Sequence, residues 1–289
     1  DWLTRAFRAF GSIPPALSVS TIARHEGCDA GNSGEKLHLW LTLSDGREAA
    51  LFVKFSRCIA DPFRDRRRHE LAGEVALAQL SRHPAFPVTV APPWFADFDA
   101  ASGTGLLISG MIRFGEDGIA PLRVKCMDHE TPGALDCYRA TLSALARLAA
   151  ACQSGALSPE VERLFPYDRA AAEADMPITA GEPEMRAKAE ALAAFIADAP
   201  QLFPPAVRDP AFLARIGDEA ARLLAREGAI RRFLHTDPRF IALAHWNTNL
   251  DNAWFWRGAD GALQCGLLDW GMVRVMNLAS GIWGGLSAA

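Results

Sequence analysis

Apolar and polar positions alternate from Leu37 to Leu43, where Leu37, Leu39, Leu41 and Leu43 are separated by His38, Trp40 and Thr42. That two-residue period predicts a strand with one face in a core. Asp45-Gly46 follows as a hairpin turn, and Ala49–Phe55 resumes as a second strand. Upstream, Val19–His25 reads as a third strand, joined to the first pair through a connection that carries Gly27, Gly31 and Gly34. Over Arg67–Arg82 the period lengthens to that of a helix, with Leu71, Val75, Leu77, Ala78 and Leu80 on its apolar face. Pro84, Pro87, Pro92 and Pro93 break the pattern, and Gly105–Phe114 restores a largely apolar strand.

Beyond Gly115 the spacing becomes helical, with helices predicted over Leu135–Ser154, Glu184–Ala197 and Pro210–Glu227 between proline-rich breaks. Two short apolar runs, Phe240–His245 and Gln264–Asp269, suit buried strands on either side of Asn252–Arg257. The expected class is α+β: a small antiparallel-sheet lobe with one helix over residues 1–112, then a larger, mainly helical lobe over residues 113–289. No internal repeat of fixed period is present.

Composition narrows the classes. With 289 residues, 50% hydrophobic and 22% charged, the chain is too apolar for a disordered protein. A net charge of −4 leaves no basic excess for tracking phosphates along a strand, so no nucleic-acid partner is expected. The six cysteines form no Cys-x-x-Cys pair, which favours free thiols in a reducing compartment. No apolar run approaches the roughly 18 residues of a membrane span, so a cytoplasmic protein without a membrane partner is expected. Oligomeric state is not legible. The chain begins at Asp1 rather than Met, and Ile282, Trp283 and Leu286 form an apolar face near its end that predicts further chain beyond residue 289.

The densest chemistry lies in His245-Trp246-Asn247-Thr248-Asn249-Leu250-Asp251-Asn252, followed by Asp269-Trp270-Gly271. Polar groups between two buried strands are costly unless something uses them. Asn252 and Asp269, brought together at neighbouring strand ends, would offer oxygen ligands to Mg²⁺, which takes the rest of its shell from water and phosphate. Two ordinary turn residues would explain the same segment. Upstream, Lys54 is a cation inside an otherwise buried strand and needs an anionic partner. Glu74 on the following helix could supply it, with Glu70 as competitor. A lysine held by a glutamate beside a glycine-bearing hairpin can orient nucleotide phosphates.

In this order along the chain, these features resemble the protein-kinase-like phosphotransferases, in particular the aminoglycoside and choline phosphotransferase branch. The resemblance runs from the hairpin around Gly27 to Asp269-Trp270-Gly271 and implies a two-lobe kinase-like fold using ATP and Mg²⁺. The branch has a His-Gly-Asp loop, four further residues and an Asn, then a later Asp-Phe-Gly or Asp-Trp-Gly. His245, Asn252 and Asp269 match it. Lys54 then matches the phosphate-holding lysine, Glu74 its helix partner, Gly31 the glycine-bearing hairpin, and Ser109–Ile112, with Met111, the hinge that meets adenine through its backbone.

One match fails: the catalytic aspartate of the family falls on Asn247, and its preceding glycine on Trp246. An amide cannot take a proton from a substrate hydroxyl. Three outcomes follow, in this order: an ATP-dependent phosphotransferase acting on a small hydroxylated molecule, with Asp251 or another carboxylate as substitute base; a catalytically impaired nucleotide-binding pseudokinase; or an enzyme that transfers AMP instead of phosphate. His245 is expected to brace the loop. Other conspicuous residues have plainer readings: Arg64–His69 as a solvated charged face, Trp254 and Trp256 as a strand with an aromatic core face, and Lys125–His129 as a loop that could line an acceptor pocket.

Overall fold

The computed structural model describes residues 1–28, 31, 33–175 and 177–286. Asp29, Ala30 and Asn32 of the glycine-bearing connection, and the last three residues, lie outside the described set. In chain order, α1 (Trp2–Phe10) is followed by β1 (Val19–Gly27), β2 (Lys36–Leu43) and β3 (Glu48–Phe55). Next come α2 (Pro62–Arg66), α3 (Leu71–Leu80), β4 (Pro93–Asp99) and β5 (Thr104–Gly110). The helical stretch holds α4 (Ala134–Gln153), α5 (Glu160–Leu164), α6 (Arg169–Ala174), α7 (Glu182–Asp198) and α8 (Pro210–Leu234). The chain closes with β6 (Ile241–His245), β7 (Ala253–Arg257), β8 (Leu263–Leu267), β9 (Val273–Asn277) and α9 (Leu278–Leu286). The expected α+β class is the observed one.

Two compact units result, one made of residues 1–166 with 241–289 and the other of residues 167–240. In the first, the five antiparallel strands run in the order β1-β2-β3-β5-β4. Leu39, Leu41 and Leu43 of β2, with Leu51 and Val53 of β3, fill a core on one sheet face together with Phe7 of α1 and Ile13. α3 covers part of the other face, where Leu71, Val75 and Ala78 pack with Ala96. The same helix turns Leu77 and Leu80 toward a second core built from α4, β6, β7 and β8, with Leu148, Leu243, Phe255 and Leu267 at its centre. α3 thus fixes the sheet against the two C-terminal two-stranded sheets, β6–β9 and the β7–β8 hairpin.

The second unit holds α6, α7 and α8. Asp209 caps α8 by accepting from the Ala211 N–H, with Pro210 in the first turn, and the helix runs on past the expected Glu227 to Leu234. Arg186 of α7 ties to Asp218 of α8 at 2.7 Å, and Glu227 accepts from the Ile178 N–H at 2.7 Å.

α1, α2, α5, α6 and β9 lie outside the predicted elements, and β4 and α9 depart from the hydrophobic pattern for identifiable reasons. β4 begins at Pro93, inside the proline cluster that reads as a break; proline is tolerated there because it opens an edge strand. α9 turns glycines, not large apolar residues, inward: Gly281, Gly284 and Gly285 are buried while Ile282 and Trp283 are exposed. A Cβ at Gly284 would run into the Trp246 carbonyl, and one at Gly285 into Thr248 Oγ1. Among the described residues no helix is long and apolar enough to cross a membrane.

Candidate functional site

The sheet has a polar face and an apolar one because β2 and β3 keep their two-residue period in register. Leu37, Leu39 and Leu41 stand opposite Val53, Leu51 and Ala49, which places Lys36, His38 and Trp40 with Lys54, Phe52 and Ala50 on the other face. There Lys54, 7% exposed, donates to Glu74 Oε1 at 2.5 Å and to Asp269 Oδ1 at 2.9 Å. Glu74 is supplied by α3; Glu70 lies 3.8 Å from Arg67 instead. Burial alone would lower the Lys54 pKa, but the Glu74 and Asp269 carboxylates outweigh it and keep the ammonium charged. Burial likewise pushes the Asp269 carboxyl up, and Lys54 more than reverses it, leaving Asp269 ionised below its ordinary range.

Asp269 is held in place by the loop before it. Leu268 donates its N–H to the Asn252 carbonyl at 3.0 Å, and its own carbonyl accepts from His245 Nε2 at 2.9 Å. That bond puts the imidazole proton on Nε2, so Nδ1 is free to accept from the Asn247 N–H at 3.2 Å. Buried to 0% exposure and tilted at 32° to the Trp270 ring, 4.3 Å away, His245 has its pKa lowered to about 4 by burial and stays neutral. Asp269 itself adopts a left-handed backbone, φ 59°, uncommon for a residue with a side chain and costing of order 1–3 kcal/mol. Gly73 lets α3 approach this segment closely, since a Cβ there would lie 3.3 Å from the Trp270 and Gly271 carbonyl oxygens.

Asn252 donates Nδ2 to the Asn247 carbonyl at 2.8 Å, which leaves its Oδ1 as the group able to meet a cation. Asp269 spends one oxygen on Lys54, and its side chain remains 46% exposed. One amide oxygen and one free carboxylate oxygen are the hard donors Mg²⁺ accepts, so this pair fits such an ion. Among the described residues no group of three or more His, Cys, Asp or Glu is placed to hold a metal by itself.

Asn247 is placed in the same loop, and its Oδ1 accepts from Asn249 Nδ2 at 3.1 Å. Asp251 lies four residues on, half-buried, with Oδ1 buried and unpartnered; burial raises its pKa, while Lys125 opposes this and Asp128 and Asp269 add to it. Asp128, 1% exposed, accepts from the Tyr138 hydroxyl through Oδ2 and leaves Oδ1 unpartnered. Thr248 Oγ1 and Asn249 Oδ1 are buried without partners as well. Buried oxygens without partners are rare enough to call for a ligand or ordered water.

Gly31 has φ 73° and lies beside Lys36. Ser109 sits within β5 opposite Phe52, and the Met111 N–H donates to the Ala50 carbonyl at 3.0 Å. A cleft along this end of the sheet is lined by Arg24, Trp40, Thr42, Ala50, Met111 and Arg113. The Met111 N–H is already spent within the sheet. Sequence reading singled out Lys54 but passed over Lys36; only strand register shows that the two lysines face each other.

No protein-family model matches this chain, and no curated protein matches its sequence. Solved structures similar to it include the GDP and kanamycin complex of APH(2")-IIia, at 14% identity and TM-score 0.41, covering 99% of this chain and 79% of that one. The GDP complex of wild-type aminoglycoside 2'-phosphotransferase-IIIa is similar at 16% identity and TM-score 0.38, covering 93% and 72%. An ethanolamine kinase from Plasmodium vivax is similar at 12% identity and TM-score 0.44, covering 94% and 61%.

Proposed function

We infer that the chain is a kinase-like phosphotransferase that uses Mg²⁺ and ATP to phosphorylate a small hydroxylated molecule. The observation that carries this reading is Lys54, buried between Glu74 at 2.5 Å and Asp269 at 2.9 Å, with the Asn252 loop tied beside it. Phosphoryl transfer depends mainly on positioning and charge neutralisation, which is what such a cluster supplies. Asn252 Oδ1 and Asp269 would hold the Mg²⁺, whose contribution is to neutralise charge developing on phosphate oxygens. Lys54 orients a phosphate, and Ser109–Ile112 with the neighbouring cleft accommodates the base. Asp128 Oδ1, Asn249 Oδ1 and Asp251 Oδ1, all unpartnered acceptors, match hydroxyl donors on an acceptor molecule. Asp251, whose pKa is raised by burial, serves as the base that receives the hydroxyl proton.

The amide at Asn247 favours a second reading, a nucleotide-binding protein with little or no turnover. Thermal shift separates the shared premise from its alternatives: Mg²⁺-ATP is expected to raise the melting temperature, and no shift with ATP or GTP would sink both readings. Label from γ-phosphate reaching an acceptor supports phosphoryl transfer, label from α-phosphate supports transfer of AMP, and binding without either supports the pseudokinase.

A further inference from the structure

Lys36 opens β2 directly opposite Lys54 of β3. Side chains at such positions share one sheet face, with Cβ atoms about 4.5–5.5 Å apart, and like charges there are destabilising. Both lysines are 7% exposed, so water screens the repulsion poorly. Lys54 has two carboxylates to offset its charge. Among the described residues Lys36 has one neutral acceptor, the Ser33 carbonyl, and Gly31 folds close enough that a Cβ there would sit 3.4 Å from its Nζ. The charges facing Lys36 are Lys54 and Arg64 as cations and Glu74 and Asp269 as anions, and both anions are already bonded to Lys54. Burial, then Lys54, lowers the Lys36 pKa. A buried cation without an anion is costly, and two neighbouring ones more so.

We propose that Lys36 is a second anion-binding lysine, and that the phosphate chain of a nucleoside triphosphate lies between it and Lys54. A polyphosphate is long enough and charged enough to meet both ammonium groups, whereas one carboxylate would satisfy one of them. This rests on the nucleotide reading of the Lys54 and Asp269 site and adds a residue that reading does not use.

Lys36→Met keeps the apolar stem and removes the charge. Isothermal titration of wild-type and variant protein with Mg²⁺-ATP, adenosine and inorganic tripolyphosphate, beside melting of the ligand-free proteins, tests the assignment. The variant is expected to lose about 10- to 100-fold in affinity for ATP and tripolyphosphate, the size of one charge-assisted contact. Its affinity for adenosine should be unchanged, and its ligand-free melting temperature equal or higher once the repulsion is gone. Lys36→Arg, which retains the charge, should recover most of the loss. Equal binding of ATP and tripolyphosphate by wild-type and Lys36→Met overturns the proposal. So does a variant that melts lower and loses adenosine and ATP alike, which would make Lys36 a structural brace. If wild-type protein binds tripolyphosphate through Lys36 but no nucleotide, the nucleotide reading fails and the anion site stands. If it binds neither, both fall.

Discussion

Asn249 donates its side-chain amide to Asn247 Oδ1 at 3.1 Å. A carboxylate at position 247 could accept the same bond, so Asn247→Asp should preserve the loop while adding a base. We expect ATP turnover with a productive acceptor to rise, though by less than the roughly 10²–10⁴-fold of a general base supplied where there is none, because Asp251 already takes the proton. Steady-state assay of both forms checks this; a flat or reduced rate would mean that the loop is built around the amide.

Asp269 and Asn252 are expected to account for the response to Mg²⁺. Asp269→Ala should abolish the Mg²⁺ dependence of nucleotide affinity, and Asn252→Ala should weaken it, because the former removes an ionised oxygen and the latter a neutral one. Titration of nucleotide at fixed Mg²⁺ levels reads both. Full retention of the dependence in Asp269→Ala would remove that residue from the metal site.

His245 gives stability a pH dependence with a definite sign. Its folded-state pKa of about 4 lies below the ordinary 6.5, so the unfolded chain binds more protons between those values. Its contribution is therefore complete above pH 6.5 and lost as pH falls toward 4, by about 3 kcal/mol across the window. Denaturant unfolding at several pH values should show this slope, and His245→Gln should flatten it while destabilising the protein at pH 7.

Lys54→Met leaves Glu74 buried beside an apolar side chain. Breaking a buried ion pair typically costs about 3–5 kcal/mol. Burial already raises the Glu74 pKa against the pull of Lys54, and without the lysine the carboxyl is favoured in its neutral form. The variant should therefore be least stable, relative to wild type, at neutral pH and recover as pH falls and Glu74 protonates. A double variant, Lys54→Met with Glu74→Gln, should regain much of the loss at pH 7; chemical denaturation of the three proteins measures it.

Much of the sheet was legible because its strands keep a strict two-residue period with one buried face, as Leu37 to Leu43 do. Chain order and spacing also pointed at Lys54, Glu74, Asn252 and Asp269. Spacing could not choose between Glu70 and Glu74, one turn apart; the orientation of α3 against β3 decides that. Lys36 was hidden for a different reason: a lysine at the start of a strand reads as a solvated edge, and its burial comes from pairing with β3 and from Gly31 and Ser33 lying beside it. Lys125–His129 reads as a loop that could line an acceptor pocket, but Tyr138 and the Asp251 loop are not tied to Asp128 by any local signal, the latter lying more than a hundred residues away. The glycine face of α9 was not legible either: spacing drew attention to Ile282, Trp283 and Leu286, which are exposed, while the close backbone approach that requires Gly284 and Gly285 is a long-range property.

That glycine face has an effect reaching beyond its own helix. Since a side chain at Gly284 would press on the Trp246 carbonyl and one at Gly285 on Thr248, the peptide units flanking Asn247 rest on bare backbone. In a saturation survey scored by activity, positions 284 and 285 should tolerate almost nothing. They would pass for members of the reaction machinery, although neither bears an atom able to take part in it.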